Sequence, residues 1–357
     1  MVLKTRKVWF FISMPKPSHI LVIRLSAMGD VAMTVPVLRL VVQTHPDVKL
    51  TVVSRRSYEP LFTDIPNVHF LEADVYGKHK GLGLLKLAKE ARLLGIDAIA
   101  DLHNVIRSKN ITRILRLRGI RSVTIDKGRA EKKKLVNAKG MDIVKLKSTH
   151  QRYADVFELL GHPIDLSFAI FPDRKPLNPR LHALIGAAPK KCIGIAPFAA
   201  YKSKTYPLEM MKEVLTHLED TQLYRVLLFG GGKEEMEKLK ELETQFSSVT
   251  NVAEALSFTE ELHLISNLDL MLSMDSANGH LAAMLGIPVI TLWGVTHPYA
   301  GFTPYQQPDD NQLKADRNQY PLIPTSVYGN KFPSDYENVM QTIETKKVID
   351  KILELLL

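Results

Sequence analysis

The chain has a single cysteine in 357 residues. Cys192 has no partner for an internal disulfide, and its apolar strand context marks it as inert core, which fits a cytoplasmic setting. No apolar run reaches 18 residues. The best stretch is broken by Pro15, Lys16, Pro17 and Arg24, which argues against a spanning helix. The amino terminus has basic residues and then Val8 to Ile12, without a full apolar core or small-residue cleavage site. No signal peptide is expected. Familiar site signatures are missing too. Gly230-Gly231-Gly232 lacks the Lys-Ser/Thr ending of a P-loop and the spaced glycines of a dinucleotide fingerprint. Ser276 sits in no Gly-x-Ser-x-Gly elbow, a poor fit to a hydrolase triad. Asp275 and His280 have no compact second pair of ligands beside them, so no metal is expected.

What is present is ordinary globular composition, 45% hydrophobic and 24% charged, in a chain long enough for two cores. The formal charge is +9. Basic residues cluster from Arg107 to Lys147, above all Arg129, Lys132, Lys133 and Lys134. Three readings fit: a solvated surface loop, attraction to an anionic lipid surface or acceptor, or nucleic acid. No aromatics alternate with the cluster, so a stacking platform for single strands is not expected.

Short apolar runs alternate with helical periods. His19 to Ile23, Lys49 to Val53, Val68 to Leu71, Ala98 to Asp101 and Val123 to Ile125 read as strands. Between them, Tyr58 to Thr63, Leu82 to Leu94 and Val105 to Leu117 read as helices. The segment after Asp30 also turns helical, with Pro36 in its first turn or at a bend. After His150 to Leu160, the proline-rich stretch 161–190 marks a boundary. The alternation then restarts with strands at Cys192 to Ala196, Tyr224 to Phe229, Leu268 to Met274 and Val289 to Trp293. Residues 299–330 read as loops and Tyr336 to Leu356 as terminal helix. This pattern predicts two α/β units with parallel sheets, and ligands bind such sheets beyond the carboxyl ends of their strands.

Two polar turns stand at such ends. In Ser26-Ala27-Met28-Gly29-Asp30, Asp30 is either a base for a hydroxyl nucleophile or a helix cap. In Asp275-Ser276-Ala277-Asn278-Gly279-His280, the N–H groups of a starting helix suit phosphate oxygens, with Ser276 assisting. Asp275 would orient the loop rather than touch phosphate. His280 is either a phosphate donor or a packed helix residue. Lys204 is either solvent-exposed or neutralises a diphosphate leaving group. Thr296 and the backbone at Gly294 would complete the anion pocket.

These segments resemble the ADP-heptose:lipopolysaccharide heptosyltransferase family, glycosyltransferase family 9. The carriers are Ile23-Arg24-Leu25-Ser26-Ala27-Met28-Gly29-Asp30 with Pro36, Asp275-Ser276 with His280-Leu281-Ala282-Ala283, Gly286-Ile287-Pro288, and Leu292 to Pro298. The resemblance covers nearly the whole chain. It implies an inverting, metal-independent transferase of GT-B fold, with two Rossmann-like α/β domains facing across a cleft. An acceptor domain would span 1–180, a nucleotide-sugar domain 181–335, and a terminal helical segment 336–357 would pack back toward the first domain. By the resemblance Asp30 is the base and Lys204 binds the donor phosphates, followed here by Thr205-Tyr206-Pro207 where His-Trp-Pro is common. Asp275, Ser276, Ala277, Asn278, Gly279, His280, Gly294 and Thr296 hold the nucleotide. The family usually has Gly where Ala277 stands, and Gly279 restores backbone freedom two positions on. No cofactor is implied. The donor would be ADP-heptose and the acceptor a lipopolysaccharide core or related glycolipid at the cytoplasmic face of the inner membrane. Two readings stand beside this one: a GT-B transferase using another nucleotide sugar, and a noncatalytic anionic-glycan-binding protein.

Overall fold

The computed structural model describes residues 16–138, 140–186 and 190–357. The reading of Val8 to Ile12 lies outside the described residues.

The first half builds β1 (His19–Ile23), α1 (Met28–Ala32), α2 (Thr34–Thr44), β2 (Lys49–Ser54), β3 (Val68–Glu72) and α3 (Gly83–Leu93). It continues with β4 (Ala98–Asp101), α4 (Ile106–Arg116), β5 (Arg121–Thr124), α5 (Arg129–Val136) and α6 (Thr149–Leu159).

 The helix α6, Thr149–Leu159, closes this half. The second half builds α7 (Pro179–Ile185), β6 (Lys191–Ala196), α8 (Leu208–Thr221), β7 (Tyr224–Leu228), α9 (Lys233–Gln245) and β8 (Val249–Asn251). It ends with α10 (Phe258–Ile265), β9 (Leu270–Met274), α11 (Ala277–Met284), β10 (Val289–Trp293), β11 (Gln312–Lys314) and α12 (Thr345–Leu356).

The strands form two wholly parallel sheets, ordered β3-β2-β1-β4-β5 and β11-β10-β9-β6-β7-β8. This is the pair of α/β units expected, in the arrangement of a GT-B fold. Strand β1 is buried along its whole length, as a central parallel strand must be. Its side chains alternate: Ile20 and Val22 enter one core, Leu21 and Ile23 another. The first of these cores is continuous with the second half. It joins Val35, Leu38 and Phe157 to Leu264, Leu281 and Met284.

Pro36 is the third residue of α2, where its missing N–H costs no intrahelical bond. The break at Met33 separates α1 from α2, so the one helix expected there is two. Asp101 ends β4 and shapes the following turn by accepting from the His103 and Asn104 N–H groups and the Ser108 hydroxyl.

Four expectations change. Tyr58 to Thr63 is a 3-10 turn over Arg56–Leu61, with Pro60 inside it. The basic cluster is no loop around Arg129: α5 buries Leu135 and Lys132. The loop region 299–330 contributes β11, an edge strand beside β10. Helix α12 packs against α8, and its Val348 and Ile352 join the core of the second half. The terminal segment was expected to return to the first domain; its apolar face is taken up by the nearer sheet instead.

Candidate active site

The two polar turns, far apart in sequence, meet. Helix α1 lies on α11. A Cβ placed on Gly29 would stand 3.1 Å from His280 Cδ2 and 3.4 Å from Ala277 Cα. Glycine thus lets the two halves approach closely here, and a side chain would force its neighbours to give by a few tenths of an ångström. The contact fixes Asp30 opposite the start of α11.

Asp30 is aimed by Arg24, whose Nη2 lies 2.6 Å from Oδ2. The buried Arg24 also donates from Nη1 to the Leu102 carbonyl (2.8 Å). The Tyr153 hydroxyl donates to the Asp30 backbone carbonyl (3.2 Å). Asp30 Oδ2 accepts a long bond from the Ala27 N–H (3.4 Å), so its capping of α1 is weak. The carboxylate remains about a third exposed, with a side-chain exposure of 31%.

Two cavities share Asp30. Ala27, Phe302, Val327 and Tyr328 also line both. The first, of about 640 Å³, is walled by Arg24, His103, Lys127, Arg129, Lys132 and Arg152, and closed by the loop from Thr325 to Lys331. Burial, reinforced by Arg24, pushes the Lys127 ammonium down to about 8. Burial and the neighbouring Arg152 do the same to Lys132, also to about 8. The Lys132 Nζ sits 3.9 Å from the centre of the Phe302 ring. Burial, then Arg24, holds His103 down at about 3. Its Nδ1 accepts from the Leu25 N–H, which leaves Nε2 as the donor. Arg152 is secured by Glu131 at 2.5 Å. Of these side chains, sequence singles out Asp30 as a site residue, and Arg129 and Lys132 only as members of a basic run suited to an anionic surface or acceptor.

The second cavity, of about 610 Å³, receives Lys204, Asp275, Ser276, Ala277, Asn278 and His280. Lys204 is buried, not solvent-exposed. Its Nζ donates to the Asp275 carbonyl (2.7 Å) and carboxylate (3.2 Å). The backbone of Gly329 lies over its stem, where a Cβ would meet Lys204 Cγ and Cδ at 2.7 Å. Ser276 is the N-cap residue of α11, and its hydroxyl reaches only Ser273 (3.2 Å), so it caps no N–H of the helix. His280 is buried with Nδ1 unpartnered. Burial, helped by Lys204 and opposed by Asp275 and Asp30, lowers its pKa.

Three expected lining residues face elsewhere. Thr296 is buried and donates its hydroxyl to Asp275 Oδ2 (2.9 Å). Gly294 packs against the Ser203 carbonyl and Met340, with no room for a side chain. Gly279 is turned toward Ser273 and Val289. Thr296 thus acts on the anion pocket only through Asp275. The glycine turn is also occupied: the Gly231 N–H donates to Glu235 (3.0 Å) and the Gly232 N–H to Glu254 (2.7 Å). Carboxylates at those amides make the turn unsuitable as a phosphate cradle. Lys204 and the N–H groups at the start of α11 are the groups in this cavity whose chemistry suits an anion. Among the described residues, no group of three or more His, Cys, Asp or Glu could hold a metal ion. No described helix is long and apolar enough to cross a membrane.

A carboxylate on the shared wall of a basic cavity and an anion-binding cavity can take a proton from a nucleophile on one side while a leaving group departs on the other. The chain is 25% identical over 356 residues to the lipopolysaccharide core heptosyltransferase OpsX of Haemophilus influenzae, covering 95% of this chain and 97% of that protein. It is 24% identical to the lipopolysaccharide heptosyltransferase 1 of Campylobacter coli, covering 94% and 98%. In three dimensions it superposes on a family 9 glycosyltransferase from Veillonella parvula with a TM-score of 0.72 at 18% identity, over 95% and 97% of the two chains. The ADP-heptose lipopolysaccharide heptosyltransferase II of E. coli superposes with a TM-score of 0.67 at 18% identity, over 94% and 98%. The model of glycosyltransferase family 9 (heptosyltransferase) matches residues 84–330, most of the chain including both cavities' second-half walls, and this protein belongs to that family.

Proposed function

We propose that the protein transfers a heptose from ADP-heptose to a lipopolysaccharide core or related glycolipid, with inversion at the anomeric carbon. The observation that carries this reading is the position of Asp30 on the wall common to both cavities. The donor lies in the cavity of Lys204 and α11; the acceptor lies in the cavity of Lys127, Lys132 and Arg152.

The reaction is a single displacement. An acceptor hydroxyl oxygen bonds to the anomeric carbon as Asp30 takes its proton. The bond from that carbon to the diphosphate oxygen breaks, and its electron pair leaves with ADP. Lys204 and the N–H groups opening α11 are the fixed donors near that departing charge, and His280 lines the same cavity. Lys204 must exchange its Asp275 carboxylate contact for phosphate oxygen, while Thr296 retains Asp275 in place. Gly294 packs on the Ser203 carbonyl, next in sequence to Lys204. Asp275, Ser276, Ala277, Asn278 and Gly279 shape the path of the backbone, and no metal is assigned a step.

The first cavity suits an acceptor bearing carboxylate or phosphate groups, because its lysines lack carboxylate partners among the described residues. Such acceptors are lipid-linked, which puts the protein at the cytoplasmic face of the inner membrane as a peripheral protein. The exposed basic residues of α4 and α5 add attraction to an anionic surface there. No nucleic acid is assigned. The relatives named above are heptosyltransferases by name, and the E. coli enzyme WaaC has been solved with ADP. The test is a donor panel with a heptose-free core acceptor. Transfer from ADP-heptose, above all other nucleotide sugars, is the expected result. Transfer only from a different nucleotide sugar would replace the donor, and acceptor binding without consumption of any donor would replace the enzyme with a glycan-binding protein.

A further inference from the structure

The donor cavity has lining residues that the transfer step leaves unused: Phe198, Phe229, Gly230, Gly231 and Glu261. Phe229 is buried just past β7, and a Cβ on Gly230 would lie 3.9 Å from Phe198 Cδ2. Aromatic edges and bare glycine backbone suit a flat heterocycle better than a sugar. The polar side chain among these without an assignment is Glu261. It projects from α10 into the cavity, and among the described residues its carboxyl takes part in no hydrogen bond and no ion pair within 4.0 Å. Its sequence neighbour Glu260 has quite different work, capping α10 through Ser257.

We propose that Glu261 reads the hydrogen-bonding edge of the donor's purine base. The inference rests on the nucleotide-sugar reading above. A carboxylic acid offers one O–H and one carbonyl oxygen in a plane. These match adenine, which accepts at N1 and donates from its 6-amino group. A carboxylate offers two acceptors and matches guanine, which donates from N1 and its 2-amino group. The protonation state of Glu261 therefore sets which purine fits.

Burial pushes the Glu261 carboxyl up to about 7, so the acid form is populated at neutral pH. The groups on the elements packed against α10 do not neutralise it. On α7, Arg180 is held by the Ala255 carbonyl (2.6 Å) and lies 4.0 Å from Glu260, and His182 is the other titratable group. In the 3-10 turn, Arg56 pairs with Glu59 at 3.1 Å, and Tyr58 is buried. On α11 the titratable group is His280. Beside α10, Lys175 pairs with Asp64 at 2.6 Å, and His263 lies on α10 itself. Glu235, from α9, is engaged with the Gly231 N–H.

The experiment measures ADP and GDP affinity calorimetrically between pH 6 and 8.5 for the wild type, Glu261→Gln and Glu261→Leu. Wild-type affinity for ADP should fall about tenfold relative to GDP across that range, as the acid form is lost. Glu261→Gln, which keeps a donor and an acceptor, should hold ADP with no such relative change. Glu261→Leu should weaken ADP about tenfold at pH 6. Equal ADP affinity in Glu261→Leu and wild type, or an unchanged relative pH response in Glu261→Gln, overturns the assignment while leaving the donor reading intact. A wild type that binds no ADP overturns both.

Discussion

The two cavities handle charge in opposite ways. On the proposed donor side, the groups around Lys204 and the glycine turn satisfy each other, Lys204 with Asp275, Thr296 with Asp275 and the glycine amides with Glu235 and Glu254, while Glu261 and His280 Nδ1 stay unpaired among the described residues. On the proposed acceptor side, Lys127 and Lys132 have no carboxylate within 4.0 Å among the described residues, and burial, reinforced by Arg24 and Arg152, makes their charge costly. A ligand entering the first must compete with existing partners. A ligand entering the second meets positive charge that is already unmatched. Recognition on the donor side therefore depends on geometry, whereas on the acceptor side it depends on field.

The sharpest way to break this comparison is Asp30→Asn. It removes the one carboxylate that serves both cavities and keeps its shape. Turnover should fall about a thousandfold while ADP affinity stays within about twofold. Near-normal turnover in a single-turnover assay would take Asp30 out of the base role.

Lys204→Ala tests the internally paired side. Donor turnover should fall about a hundredfold, and the melting temperature should drop because Asp275 is left buried without its cation. Adding Asp275→Asn should recover stability but not turnover. If the double variant regains turnover, the lysine holds the loop rather than the diphosphate.

The unmatched side should respond to pH. Lys127 and Lys132 are protonated below about 8 and lose charge as pH rises through that value. Acceptor KM should therefore rise about tenfold between pH 7 and 9.5, with donor KM changing less. The Lys127→Met, Lys132→Met double variant should start with the high KM and lose most of the slope. A slope that survives in the double variant would assign it to other groups.

Gly29→Ala has the smallest expected effect. Its Cβ would be tight against His280 without touching either substrate. Turnover should fall about tenfold through misalignment, with ADP affinity kept. An unchanged kcat would show that the two halves can shift apart harmlessly.

Much of the fold was legible because its signals are local. Strand β1 is five apolar residues followed by a polar turn, and the run from Asp275 to His280 places a helix start directly after β9. Their meeting is legible from two parallel-sheet units whose strand ends face each other, and from family resemblance. Helix α5 was not, because Arg129 to Val136 is mostly charged and its burial depends on Phe302 from the other half. Arg24 was quoted in a motif but given no role. An arginine ending an apolar strand looks solvent-bound until the Leu102 carbonyl and Asp30 close around it. Thr296 and Gly294 were placed on the cavity wall from sequence order. Asp275 and Ser203 draw them inward, a choice made by tertiary partners that spacing cannot reveal. The three-residue β11 is too short to carry a period at all.

The apolar layer that runs unbroken from one sheet to the other has a consequence for traffic. Prying the halves wide apart would wet that layer, at about 25 cal/mol for every Å² exposed. Any route into the chambers that keeps this layer dry would pass beside the strap from Thr325 to Lys331, which lies over Lys204 and borders both chambers.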